Sequence, residues 1–175
     1  MDILHSIREG TAADAGPLSS LIRDSFRDVA ERFAITPENC PKHPSNCTRE
    51  WIVADQDRGV RFFILSQGDE PVGCVGVESV GGGVGYLERL AVTPKRRRNG
   101  FGRELVLHAM EYASTIGVLR MSIGIIADQY ELKHWYQRMG FVEVGIRRFD
   151  HLPFKVCLME KDIPPFQRVE KHILS

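Results

Sequence analysis

The stretch from Leu90 to Leu105, L-A-V-T-P-K-R-R-R-N-G-F-G-R-E-L, constrains the fold more than any other part of the chain. An apolar run that reads as a strand passes into a charged loop, and the loop opens a helix near Gly100. The first turn of a helix has N–H groups without intrahelical acceptors and the positive end of the helix dipole, so it is a ready anion site. Gly100 and Gly102 let the backbone approach a phosphate with no Cβ in the way. Lys95, Arg96, Arg97, Arg98 and Arg103 gather positive charge at the same place. That cluster suits a ligand with several phosphates better than a single carboxylate. Two familiar phosphate loops do not fit. Leu105 stands where the dinucleotide fingerprint needs its third glycine, and the Gly-Lys-Ser/Thr of a P-loop is absent.

The surroundings of this stretch define an α/β (α+β) domain. With 175 residues the chain is about one domain long, and 43% hydrophobic against 26% charged residues supplies a real core. Ser6 to Glu9 reads as a short strand. Thr11, with Asp14 three residues on, opens a helix whose apolar face is Leu18, Leu21, Ile22, Phe26, Val29 and Phe33, ending near Thr36-Pro37. A proline-rich loop follows, then a short helix from Thr48 to Asp57. Val60–Ser66, Val72–Val80 and Gly85–Val92 are three strands joined by short turns, an antiparallel meander. The helix after Gly100 buries Phe101, Leu105, Ala109, Ala113 and Ile116, and Gly117 closes it. Leu119–Ile126, Asp128–Met139, Phe141–Ile146 and Phe154–Met159 then alternate as strand, helix, strand and strand.

Composition excludes other classes. Lys+Arg and Asp+Glu both number 23, so the chain lacks the basic excess of a nucleic-acid binder. No run approaches the ~20 apolar residues of a membrane span, and the N-terminus lacks the apolar middle of a secretory signal. Four cysteines are too few for a disulfide scaffold. A cytoplasmic, single-domain protein is expected, with no membrane or nucleic-acid partner.

Two motifs give a resemblance. Arg97-Arg98-Asn99-Gly100-Phe101-Gly102 resembles the R/Q-x-x-G-x-G/A signature of the GNAT superfamily of acyl-CoA-dependent N-acyltransferases. Trp135-Tyr136-Gln137-Arg138-Met139-Gly140-Phe141 is similar to that family's F-Y-x-x-x-G-F segment. With the element order, the resemblance covers residues 6–160 of a single domain expected over 1–175. It implies a mixed, mostly antiparallel sheet flanked by helices, acetyl-CoA as cosubstrate, an amine acceptor and no metal. The loop from Arg97 through Arg103 (Arg97, Arg98, Asn99, Gly100, Phe101, Gly102, Arg103) would then cradle the pyrophosphate. The pantetheine arm would bond to main chain at Leu90, Ala91 and Val92, in a gap between that strand and the one near Leu119–Ile126. The family often has Asn seven residues before its tyrosine; Gln129 stands there and offers the same amide bonds with a longer reach.

The chemistry asks for a base, an acid and an oxyanion donor. An alkylammonium with a reference pKa near ~10.4 must lose a proton before it attacks a thioester. By the resemblance Tyr136 is the acid that protonates the departing thiolate, with Tyr130 a lesser candidate. Glu88 is the candidate base, because four strand positions from Val92 would put both on one side by period-two geometry; Glu78 is the reserve. A backbone N–H near Val92 is the natural oxyanion donor. A GNAT-like domain that binds acyl-CoA without turnover is the alternative from another class.

Other constellations carry less. Cys40, His43 and Cys47 form C-x2-H-x3-C, but a structural zinc needs a fourth ligand. The resemblance instead makes His43, Asn46 and Trp51 candidate acceptor contacts. Cys74 and Cys157 read as packed thiols. The acceptor's identity and the oligomeric state stay open, a homodimer included.

Overall fold

The computed structural model describes residues 4–167. The ends of the domain expected over 1–175 therefore lie outside the described residues. Seven strands form one sheet in the order β1-β2-β3-β4-β5-β7-β6, a single mixed α/β unit. The strands are β1 (His5–Glu9), β2 (Arg61–Gln67), β3 (Glu70–Gly81), β4 (Val84–Val92), β5 (Arg120–Ile126), β6 (Val142–Arg148) and β7 (Lys155–Asp162). Every neighbouring pair is antiparallel except β4 and β5. The helices are α1 (Ala15–Ser25), α2 (Arg27–Arg32), α3 (Arg49–Arg58), α4 (Phe101–Thr115) and α5 (Tyr130–Arg138).

The Thr11–Asp14 box forms: the Thr11 N–H donates to Asp14 Oδ2 at 2.7 Å. Arg8 clamps the same carboxylate and holds it well below the usual range, at about 2. The box opens a single tight turn, and α1 starts at Ala15. The expected long helix is broken at Phe26. The Val29 N–H turns to Asp28 Oδ1 at 3.0 Å, while the Ser25 carbonyl accepts from Arg97 Nη2 at 2.6 Å. A residue of the basic loop thus takes the carbonyl that would have continued the helix.

Two cores lie on opposite sides of the sheet. On one, α4 buries Phe101, Leu105, Ala109 and Ala113 against Val72, Val75, Leu87, Met121 and Met159. Ile116, expected on that face, is 42% exposed because the helix ends at Thr115; Val118 fills the core instead. On the other, Leu18, Ile22 and Ile52 from α1 and α3 pack on Phe62, Ile64, Cys74 and Ala91.

Two glycines set how closely these layers approach. A Cβ at Gly73 would stand 2.9 Å from Leu105 Cδ1 and 3.0 Å from the Ala91 carbonyl oxygen, and one at Gly85 would stand 2.9 Å from Val118 Cγ1. At Gly16, in α1, a Cβ would meet nothing within 4 Å. Gly73→Ala is therefore expected to lower unfolding free energy by about 1–3 kcal/mol, since backbone limits the relief. Gly16→Ala should be neutral or stabilising by up to ~1 kcal/mol. Urea unfolding of both variants beside the parent checks this, and equal stabilities would contradict the packing described.

Candidate active site

The β4–β5 pairing is short. It runs only through Val84↔Arg120, Gly85↔Met121 and Tyr86↔Ser122. Beyond Tyr86 the strands part, leaving the β5-facing edge of Leu87–Val92 without a strand partner. Tyr86, Leu87, Glu88, Arg89, Ser122, Ile123 and Gly124 line a cavity of about 350 Å³ in the opening. Leu90, Ala91 and Val92 continue along it, with their outer partners on β3 intact at Cys74↔Ala91 and Gly73↔Val92.

A bulge shapes β4. Cys74 pairs with Ala91 and Gly76 with Glu88, so β4 spends one residue more than β3 between these positions. Arg89 absorbs the excess in a left-handed conformation, φ +50. The consequence corrects the period-two expectation. Val92 and Leu90 pack toward the α4 side with Leu87, whereas Glu88, Arg89 and Ala91 face the α3 side. Glu88 and Val92 are therefore on opposite faces of the sheet, not on one side as period-two counting implies. Glu88 nonetheless lines the cavity.

Glu88 sits in a cluster of five charged groups. Arg58 donates from Nε to Glu78 Oε1 at 2.9 Å, and its Nη1 lies 3.1 Å from Asp55 Oδ1. Its Nη2 reaches Glu88 Oε2 only at 3.6 Å. Arg89 Nε binds Asp55 Oδ2 at 2.7 Å from the other side. The Glu88 side chain is 25% exposed. Burial, then the Glu78 carboxyl beside it, pushes its pKa up to about 7, while Arg58 holds Glu78 below the usual range. The network includes Asp55 and Arg58, which sequence reading missed. The i, i+3 spacing on α3 was visible, but nothing local says that this face meets β3 and β4.

Across the sheet, Tyr136 is 4% exposed, its ring edge-on to Trp135 and Phe141 at centroid distances of 4.9 and 5.3 Å. Burial raises its pKa above the ordinary phenol value, so it stays protonated at neutral pH. Tyr130 is exposed at the start of α5. Gln129 precedes α5, its N–H donating to the Ile126 carbonyl at 3.0 Å, beside the C-terminal end of β5.

The basic loop is narrower than expected. The Arg97 N–H donates to the Pro94 carbonyl at 3.4 Å, and its guanidinium binds Asp28, the Ser25 carbonyl and the Val92 carbonyl. Arg97 is thus committed within the protein, and the available amides begin at Arg98. Asn99 Nδ2 ties the loop by donating to the Arg96 and Arg97 carbonyls at 2.9 and 3.3 Å. Arg98 and Gly100 are both left-handed, φ +65 and +79, turning the chain sharply into Phe101. Gly100 is needed for that φ. A Cβ at Gly102 would meet Trp135 Cζ2 at 3.3 Å, so Gly102 makes room for an indole in this structure. Phe101, Gly102 and Arg103 present the unpaired N–H groups of the first turn of α4. Among the described residues, no ion pair engages Lys95, Arg98 or Arg103. Three cations around open amides fit a polyphosphate ligand.

The remaining candidates make contacts within the protein. His43 is buried with Nδ1 at 2.8 Å from Ser45 Oγ, and Asn46 Nδ2 binds the Cys40 carbonyl at 3.2 Å. Trp51 lies between the Lys42 and Arg89 cations, 5.3 and 5.6 Å from its ring. Among the described residues, no group of three or more His, Cys, Asp or Glu side chains is placed to hold a metal ion, and no helix is long and apolar enough to cross a membrane.

The chain belongs to the acetyltransferase (GNAT) family, whose model matches residues 22–141. Solved structures share its fold. The ribosomal-protein-S18-alanine N-acetyltransferase of Escherichia coli is similar at TM-score 0.70 and 18% identity, over 95% of this chain and 98% of that one. Ard1 of Thermoplasma volcanium gives TM-score 0.72 and 16% identity over 91% and 98%. The yncA protein of Salmonella typhimurium, solved with its cofactor acetyl-CoA, gives 0.68 and 15% over 94% and 96%.

The raised Glu88 carboxyl has a consequence for stability. An acid whose native pKa lies above its unfolded value, ~4.3, binds its proton more tightly when folded. Its contribution is fully present below about 4 and is lost as pH rises through about 7. Glu88→Gln should therefore gain stability relative to the parent on going from pH 5 to pH 8, by about 1–2 kcal/mol after allowing for solvent screening. Thermal unfolding at both pH values measures this, and a pH-independent difference would show that Glu88 titrates as an ordinary carboxylate.

Proposed function

We propose that this chain is an acetyl-CoA-dependent N-acetyltransferase of one domain, transferring an acetyl group to a primary amine by direct attack in a ternary complex. The observation that carries the reading is the β4–β5 opening, with Glu88 in its wall and the amides of Arg98–Arg103 beyond its wide end. Acetyl-CoA supplies an activated thioester and a diphosphate handle. The first-turn amides of α4, with Lys95, Arg98 and Arg103, would hold that handle; Asn99, Gly100, Phe101 and Gly102 form the turn that presents them. Main chain at Leu90, Ala91 and Val92 would bond the pantetheine arm as a missing strand would, and Gln129 would flank it. Arg97 acts by fixing the loop.

The residues then divide the proton work. Glu88 accepts a proton from the acceptor's ammonium: the N–H bond breaks, an O–H bond forms, and the nitrogen lone pair is freed to attack. A carboxylate poised near 7 is matched to this task at neutral pH. The Val92 N–H is placed in this reading against the oxyanion. Tyr136, kept protonated by burial, gives its proton to the sulfur as the carbon–sulfur bond breaks, and the second proton that the nitrogen sheds on becoming an amide restores the phenol. Cys40, Cys47, Cys74 and Cys157 are buried free thiols, which fits a reducing, cytoplasmic location.

The test is thiol release from acetyl-CoA across a panel of amines, amino acids, polyamines and peptides, with mass spectrometry of the product. Turnover with at least one amine is expected. Glu88→Gln and Tyr136→Phe should each lower kcat/KM by about 10²-fold or more. Full activity in both variants would remove them from the chemistry. No binding of acetyl-CoA by folded protein at millimolar concentration would remove the donor.

A further inference from the structure

The acidic cluster holds more than one base requires. Glu78 is opposite Tyr86 and Glu88 opposite Gly76, so the two glutamates are diagonal neighbours on one face of β3 and β4. Arg58 meets them unequally, with Nε and Nη2 at 2.9 and 3.4 Å from the two Glu78 oxygens but Nη2 at 3.6 Å from Glu88. Asp55, 5% exposed, is held between Arg58 and Arg89. Three carboxyls therefore face two guanidiniums, and the one least well bonded is Glu88. Among the described residues the remaining wall adds no compensating charge: β5 contributes Ser122, Ile123 and Gly124, and β4 adds Tyr86 and Leu87.

We propose that Arg58 and Glu78 are positioning residues for acetyl transfer: Arg58 fixes a negative charge on Glu78, and that charge makes Glu88 the member of the pair that takes up the acceptor's proton. The proposal rests on Glu88 being the base and adds what selects it. Arg58 grips Glu78 with a two-pronged bond, leaving that carboxylate little reason to accept a proton. Glu88, beside an anion and partly shielded from water, gains most from being neutral. The proton it removes from an arriving ammonium relieves the excess negative charge of the cluster, so local charge balance favours the transfer.

Two measurements separate this from a merely structural ion pair. In the acetyl-CoA assay, the acid limb of kcat/KM against pH should lie near 7 for the parent. It should move down by about one unit in Glu78→Gln and up in Arg58→Gln, with Arg58→Lys returning part of the way. Carbon-13 NMR titration of the glutamate carboxyls, on protein without donor or acceptor, should show Glu88 and Glu78 titrating as a coupled pair, Glu88 at the higher pH. A limb unmoved in Glu78→Gln, beside an inactive Glu88→Gln, would overturn this proposal alone. Independent titration of both groups below pH 5 would overturn it whether or not the protein turns over. Glu78→Gln losing activity at every pH would make Glu78 the base and overturn it too. Full activity in Glu88→Gln would overturn the base role and this proposal together.

Discussion

The structure depends on one incomplete ladder. β4 and β5 are the sole parallel neighbours in the described sheet, and they share only three residue pairs before separating. Backbone groups on a parted edge need partners from outside the strand, so the gap is both a cost to the fold and an opening for a ligand's main-chain-like amides. The cores on either side keep it from collapsing. Leu87 and Ile123 anchor the two strands to the α4 layer, and Ala91 fastens β4 to α1 and α3.

Charge is distributed in the same asymmetric way. The α3 side of the sheet carries Asp55, Arg58, Glu78, Glu88 and Arg89, while the end beyond Val92 carries Lys95, Arg98 and Arg103, unpaired among the described residues. Arg97 belongs to neither group. Its bonds to Asp28 and to the Ser25 and Val92 carbonyls join the loop, the helix break and the end of β4 at one guanidinium. A neutral chain thus keeps a basic end and an acidic wall within one site, which no whole-sequence charge count reveals.

Much of the fold was legible because local periodicity reported it. Phe101, Leu105, Ala109 and Ala113 marked α4, and the turn glycines marked the meander of β2, β3 and β4. The departures have one cause in common: the deciding contact is distant in sequence. The break at Phe26 needs Arg97, and the side on which Val92 lies depends on a bulge that period-two counting passes over. Period-two counting puts Glu88 on the same side as Val92; the bulge puts it on the other, and it lines the cavity all the same. Arg58 carried no motif and became visible only when α3 was laid against β3. Gly102 stands in the first turn of α4 and also borders Trp135, a contact that no local pattern announces.

Gly85 gives the opening a mechanical character. Its missing Cβ lets Val118 press close to the last paired residues, so the point from which the two strands diverge is tightly packed. From Tyr86 to Val92 a strand runs about 20 Å, so a pivot of about 3° at that point displaces the far end by ~1 Å. Because β3 stays paired with β4 through Gly73↔Val92, a methyl group gained or lost at the vertex is felt by both strands before it reaches the mouth.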